Sequence, residues 1–134
     1  MKIFLYYIGK ARDRHANAMA EEYIKRSGRF ATCEMREIRP GKGFDPWQKH
    51  PGVFKIALDP AGTMMDSAKL ARLFDRDLVF LIGGADGLPE EWRTGADLLL
   101  GLSPMTMPHE LARVMLAEQI YRALTTLRGH PYPR

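Results

Sequence analysis

A chain of 134 residues, 46% hydrophobic and 27% charged, has the make-up of one globular domain spanning 1–134, with a sizeable core and no room for a second. Its formal charge of +4 permits a phosphate-rich partner, while a single cysteine, Cys33, excludes an internal disulfide framework and points to a reducing, cytoplasmic setting. No stretch approaches the roughly 20 apolar residues that cross a bilayer, and His15, His50, His109 and His130 have no partner at metal-ligand spacing, so neither a membrane nor a metal is expected.

The N-terminal Met1–Gly9 is apolar but too short for a signal peptide, and Lys10, Arg12, Asp13 and Arg14 follow it. Within it, Ile3 to Ile8 reads as a buried strand closed by Gly9. Asp13 suits the N-cap of a helix in which Ala16, Met19, Ala20, Tyr23 and Ile24 recur at helical spacing, with Lys25, Arg26 and Gly28 at its end. Thr32 to Arg39 partly alternates, Cys33 and Met35 on one face and Thr32, Glu34 and Arg36 on the other, as in a strand near a sheet edge. Pro40 to Gly52 is dense in breakers, which forbid a full helix and predict an ordered or mobile loop.

Val53 to Leu58 reads as a third strand, ended by the turn Asp59-Pro60-Ala61-Gly62. Asp66 or Ser67 caps a short helix presenting Leu70, Leu73 and Phe74. Leu78-Val79-Phe80-Leu81-Ile82 then runs without polar alternation, as a strand buried on both faces of a parallel sheet does. It stops at Gly83, Gly84 and Gly87. Glycines there let a ligand approach the backbone, and ligands of open α/β sheets lie at the carboxyl ends of strands. A tight strand-to-helix turn with no ligand fits the same residues. The pattern Gly-Gly-x-x-Gly is neither a dinucleotide fingerprint nor a P-loop.

Pro89 opens a short helical piece through Trp92, and Asp97 to Leu102 reads as a fifth strand. The alternation of strands and helices predicts α/β with a mostly parallel sheet. The last helix is expected from about Met107 to Arg128. Ala112, Leu116, Ala117, Ile120, Ala123, Leu124 and Leu127 form its wide apolar arc, and Glu118, Gln119, Arg122, Thr125 and Thr126 the other side. That width exceeds what one sheet face needs, and a homodimer partner accounts for the excess. Arg113 falls inside the arc, either salt-bridged to a carboxylate such as Asp86 or Asp97, or aimed at a bound anion or substrate edge.

Taken together, Leu-Ile-Gly-Gly-Ala-Asp-Gly at 81–87, Leu-Ser-Pro-Met-Thr-Met-Pro-His at 102–109, Arg-Val-Met-Leu-Ala-Glu-Gln-Ile-Tyr-Arg-Ala at 113–123 and His-Pro-Tyr at 130–132 resemble the RlmH family over nearly the whole chain. Those are SPOUT-class methyltransferases of the large ribosomal subunit that methylate N-3 of a pseudouridine in 23S rRNA. The resemblance implies an α/β fold with a C-terminal trefoil knot, an exception to the rule against threaded loops. It also implies a homodimer and S-adenosylmethionine bound by the knot loops. By motif match the cofactor contacts fall on Leu58, Gly83, Leu102, Ser103, Pro104, Met105, Thr106 and Met107. Met105 and Met107 also suit ordinary packing, and Thr106 a helix cap.

Methyl transfer from a sulfonium needs the acceptor nitrogen aligned behind the methyl carbon, and the imide proton must leave. His109, His130, Asp86 and Arg113 are the candidates to assist; Arg113, His130 and Tyr132 are the residues expected at the chemistry. Lys10, Arg12, Arg14, Arg36, Arg39, Lys42, Arg128 and Arg134 are expected to meet RNA phosphates or to form a solvated basic surface. Two departures from the family stand out. Pro133 replaces a tail histidine, and the breaker-rich 40–52 stretch replaces a helix. A non-catalytic ribosome-binding or assembly factor with the same fold is the alternative; a module for some other nucleotide is a weaker third.

Overall fold

The computed structural model describes residues 1–132. Strands β1 (Lys2–Ile8), β2 (Thr32–Ile38), β3 (Phe54–Met64), β4 (Leu78–Ile82) and β5 (Leu98–Gly101) alternate with helices α1 (Arg14–Ser27), α2 (Pro46–Lys49), α3 (Ser67–Ala71), α4 (Glu90–Thr94) and α5 (His109–Leu127). The five strands form one sheet in the order β2-β1-β4-β3-β5. Every pairing is parallel, so all strand carboxyl ends share one edge.

β4 is central and all five of its residues are buried, which is why its sequence shows no polar alternation. On one face Ile3, Leu5, Ile56, Leu78, Phe80 and Ile82 pack under α1, α3 and α5, meeting Ala20, Ile24, Leu70, Phe74, Leu116, Ile120 and Leu124. Each large side chain buried there contributes about 1.5–3 kcal/mol. On the other face Tyr6, Ala57, Val79 and Leu81 meet Trp47 of α2 and Trp92 of α4.

Local chemistry sets the helix starts. Asp13 accepts the His15 and Ala16 amides at 2.9 and 3.1 Å, and Asp66 accepts Lys69 N–H at 2.8 Å, choosing Asp66 over Ser67 as cap. In the breaker-rich 40–52 stretch, Asp45 caps a single helical turn with Pro46 at its start. That turn is anchored: the Trp47 indole N–H donates to the Trp92 carbonyl at 2.8 Å, and the His50 ring stacks on Phe4 with Nε2 2.7 Å from the Tyr6 hydroxyl. The stretch is therefore an ordered cap on the sheet.

Three expectations are corrected. β3 does not end at Leu58. The register shifts between Leu58 and Thr63, both of which pair with Leu100, so Asp59–Gly62 loops out as a bulge and the strand resumes. Gly62 is required because a Cβ there would stand 2.7 Å from the Leu99 carbonyl. On α5, Thr125 is fully buried, its hydroxyl satisfied by the Arg122 carbonyl, while Leu127 is half exposed in the last turn. The wide arc itself is covered within the chain: from Ala112 to Leu124 its members are buried against the sheet, α1 and α3. Its width thus gives no argument for a second copy.

Candidate active site

The ends of three strands and the start of α5 enclose a cleft of about 300 Å³. Leu58, Asp59 and Pro60 come from β3, Gly83, Gly84, Ala85, Gly87 and Leu88 from the loop after β4, and Leu102 to Met107 from the loop after β5. His109 and Ala112 of α5 close it. All eight residues assigned by motif to the cofactor thus line one cavity. A larger but open hollow, about 560 Å³, lies at the opposite edge, among Lys55, Arg76, Asp77 and Asp97. Its wall is charged, and its carboxylates Asp77 and Asp97 already accept the Lys2 and Lys55 amides. The strand-end cleft is the better site because it combines apolar walls with few polar groups.

The glycine loop is shaped by itself before any ligand. Gly87 N–H donates to the Gly84 carbonyl at 3.0 Å, and Gly87 adopts φ +76°. A Cβ on Gly83 would meet the Gly87 carbonyl carbon at 2.7 Å. Glycine at 83 is therefore demanded by the loop's own turn, and a side chain there would displace the wall of the cleft. In the facing loop the Ser103 hydroxyl accepts Met105 N–H at 3.0 Å, while the Thr106 and Met107 amides find no acceptor in the described chain. Leu58 and Leu102 are half-buried, but Met105 is 78% exposed at the rim.

Asp59 escaped the motif match, although its place at a strand's carboxyl end is a signal for it. Burial works to raise its carboxyl, but the Ala61 amide at 2.8 Å and the Arg93 guanidinium at 2.5 Å outweigh that and hold it below the usual aspartate range. The wall therefore carries an ionised carboxylate that is already paired with Arg93. Arg93 also pairs with Glu90 at 2.9 Å, linking the bulge of β3 to α4. Apolar walls, free amides and an ionised carboxylate suit a ligand with a flat base, hydroxyls and a cationic centre, and S-adenosylmethionine has all three. The residues present fit that group.

The three residues expected at the chemistry do not line this cleft. Arg113 is 2% exposed and pairs with neither Asp86 nor Asp97; its guanidinium lies 3.8 Å over the Tyr7 ring, 3.1 Å from Asn17 Oδ1 and 3.5 Å from Glu110. It ties α5 to β1 and α1. His130 and Tyr132 fold back on the far part of α5. Tyr132 N–H donates to His130 Nδ1, and its hydroxyl donates to Glu118 at 2.7 Å; burial, then Glu118, pushes the phenol well above its usual range. Glu118 stands about 9 Å along the helix beyond Ala112. Of the proton-handling candidates, His109 is in the lining and Asp86 is not. Pro133 and Arg134 lie outside the described residues. Among the described residues no group of His, Cys, Asp and Glu is placed to hold a metal, and no helix is long and apolar enough to cross a membrane.

Known proteins share this architecture. A family described as Predicted SPOUT methyltransferase matches residues 1–133. The ribosomal RNA large subunit methyltransferase H of Solibacter usitatus is 62% identical over 140 residues, covering all of both chains. Among solved structures, a probable methylase family protein from Haemophilus influenzae superposes with TM-score 0.64 at 11% identity, over 99% of this chain and 70% of its own. The SpoU methyltransferase AviRb from Streptomyces viridochromogenes, solved in complex with the cofactor AdoMet, superposes with TM-score 0.56 at 15% identity, over 94% of this chain and 61% of its own. With a full-length relative this similar and a family match over nearly every residue, the chain belongs to the SPOUT methyltransferase family, among the ribosomal RNA large subunit methyltransferases H.

Proposed function

We propose that the protein is an S-adenosylmethionine-dependent methyltransferase that modifies N-3 of a pseudouridine in 23S rRNA of the large ribosomal subunit, in the cytoplasm. The observation that carries this is the convergence of Leu58, Gly83 and Leu102 to Met107 on one cleft, in a chain 62% identical to a relative named ribosomal RNA large subunit methyltransferase H. The loops after β4 and β5 are the segments that form the trefoil knot in this reading.

The cofactor would supply an electrophilic methyl group on a sulfonium. Leu58 and Leu102 would grip the faces of its base, the Thr106 and Met107 amides would meet acceptors on its edge, and Asp59, held by Arg93, would leave only part of its charge to face the sulfonium. Met105 would close over it from the rim. With that methyl group in place, the chain's main task would be to align the acceptor nitrogen behind it. The imide proton must leave, and His109 is the histidine that lines the cleft.

A homodimer belongs to the same reading. Leu111 and Met115 of α5, Met19 of α1 and Met64 and Met105 beside the cleft are 43–78% exposed. Exposed apolar side chains in such number suit a second copy. His130 and Tyr132, held away from their own cleft, reach a reacting base only if a partner presents them. Incubating large subunits from a strain lacking the modification with protein and methyl-labelled cofactor tests the function; absence of label in 23S rRNA overturns it. Calorimetry separates the catalytic reading from a mere binding factor, which would show no cofactor affinity.

A further inference from the structure

Resting on the proposed RNA substrate, we propose that Lys10, Arg12 and Arg14 of the β1–α1 loop, with Arg39 and Lys42 after β2, form a phosphate-binding rim that seats the RNA backbone beside the cleft. The parallel sheet puts the carboxyl ends of β1 and β2 on the same edge as the cleft. β1 adjoins β4, with Tyr7 opposite Ile82. A Cβ on Gly84 in the cleft wall would touch the Ile8 carbonyl at 3.1 Å, and one on Gly9 would lie 3.9 Å from His109 Nε2. The rim and the cleft are therefore contiguous.

What distinguishes these five cations is their place at the cleft edge of the sheet, where ion pairs among the described residues leave them almost wholly unneutralised. All are exposed. Among the described residues, the side chains of Lys10, Arg12, Arg14 and Lys42 make no ion pair, and Arg39 has only a 3.5 Å contact with Glu37. Of the other arginines, Arg26 pairs with Glu22, Arg76 with Asp75, Arg93 with Asp59 and Arg122 with Glu118. Arg72 and the lysines Lys2, Lys25, Lys49 and Lys69, also without an ion pair among the described residues, stand on other elements or at the opposite strand ends. The two carboxylates at the β1–α1 loop are engaged by backbone instead. Asp13 is taken by the His15 and Ala16 amides, and Glu110 accepts the Arg12 and Asp13 amides at 2.6 and 3.2 Å. That geometry fixes the loop to α5 while leaving its positive side chains to solvent. Arg36, over the Phe44 ring, and Arg128, on the Phe30 carbonyl, are occupied and fall outside the rim.

A row of exposed, scarcely paired cations next to a base-sized cleft suits a polyanion whose bases are splayed from its backbone, as in RNA modified on a flipped base. The test compares the triple variant Lys10→Gln, Arg12→Gln, Arg14→Gln with an equally charged control, Lys2→Gln, Lys25→Gln, Arg29→Gln, at the other edge of the sheet. Binding of each to large-subunit rRNA fragments is titrated against salt, with cofactor affinity measured in parallel. The rim variant should bind at least tenfold more weakly near 150 mM salt, with the slope of log K against log salt reduced by about two to three, and cofactor affinity unchanged. The control should stay within about twofold of the parent. Equal losses in both variants, or none in the rim variant, would overturn the rim. A parent protein that binds RNA through the rim yet labels none would count against the proposed reaction and leave the rim standing.

Discussion

The Glu110 carboxylate accepts the backbone amide of Arg12 at 2.6 Å, fastening the start of the last helix to the loop that follows the first strand. This bond holds the Glu110 carboxyl below the usual glutamate range, with the Asp13 amide helping and burial opposing. A carboxyl depressed in the folded state stabilises above its unfolded value, near ~4.3, and loses that contribution as pH falls through the lower folded value. Glu110→Gln should therefore lower the unfolding midpoint at pH 7. Acidification below about pH 4 should bring the two proteins together, which chemical denaturation across pH 2.5–7 would measure.

Arg113 offers a second expectation. Its burial over Tyr7 and its bonds to Asn17 and Glu110 make it a strut between three elements. Arg113→Met should cost about 2–4 kcal/mol of stability, since a buried polar network loses its centre. The kcat of the remaining folded enzyme, assayed well below its melting temperature, should fall by less than about tenfold. A loss of a thousandfold with full folding would instead give Arg113 a place at the reaction.

The cleft loops respond differently to change. Because a Cβ at 83 meets Gly87 backbone, Gly83→Ala should displace the wall and weaken cofactor binding by more than tenfold, with far-ultraviolet circular dichroism preserved. Met105, at the rim and 78% exposed, contributes little to folding. Met105→Ala should leave the melting temperature within a degree or two and raise the cofactor Kd only several-fold, as isothermal calorimetry would record.

Cys33 is half-buried in β2, and burial pushes its thiol up to about 11. At pH 7 its thiolate should be roughly three-hundredfold scarcer than that of an ordinary cysteine near 8.5. Iodoacetamide labelling should be slow at neutral pH and accelerate tenfold per pH unit up to about pH 10. Rapid labelling at pH 7 would contradict the burial.

Much of this was legible because the strongest signals are local. The unbroken run Leu78 to Ile82 announces a strand covered on both sides, and Asp13 with Gly28 brackets α1. What escaped depends on partners distant in sequence. The continuation of β3 beyond Gly62 is fixed by its approach to Leu99, and Arg113's partners Tyr7 and Asn17 arrive from the other end of the chain. Breakers at 40–52 signalled loss of helix correctly, but only Trp92, on the same face of the sheet, shows why Trp47 is held in order. In the cleft, the loop motifs named eight lining residues, whereas Asp59 emerges from its contacts with Ala61 and Arg93.

The all-parallel sheet also constrains how the molecule is born. No two of its strands can zip as a hairpin, so each ladder must wait for a crossover of a dozen residues or more to close. Recovery from denaturant should accordingly run in milliseconds to seconds or slower, since β4 must insert between β1 and β3, strands that both precede it in the chain. During synthesis, residues 1–77 leave the ribosome lacking the centre of their own sheet.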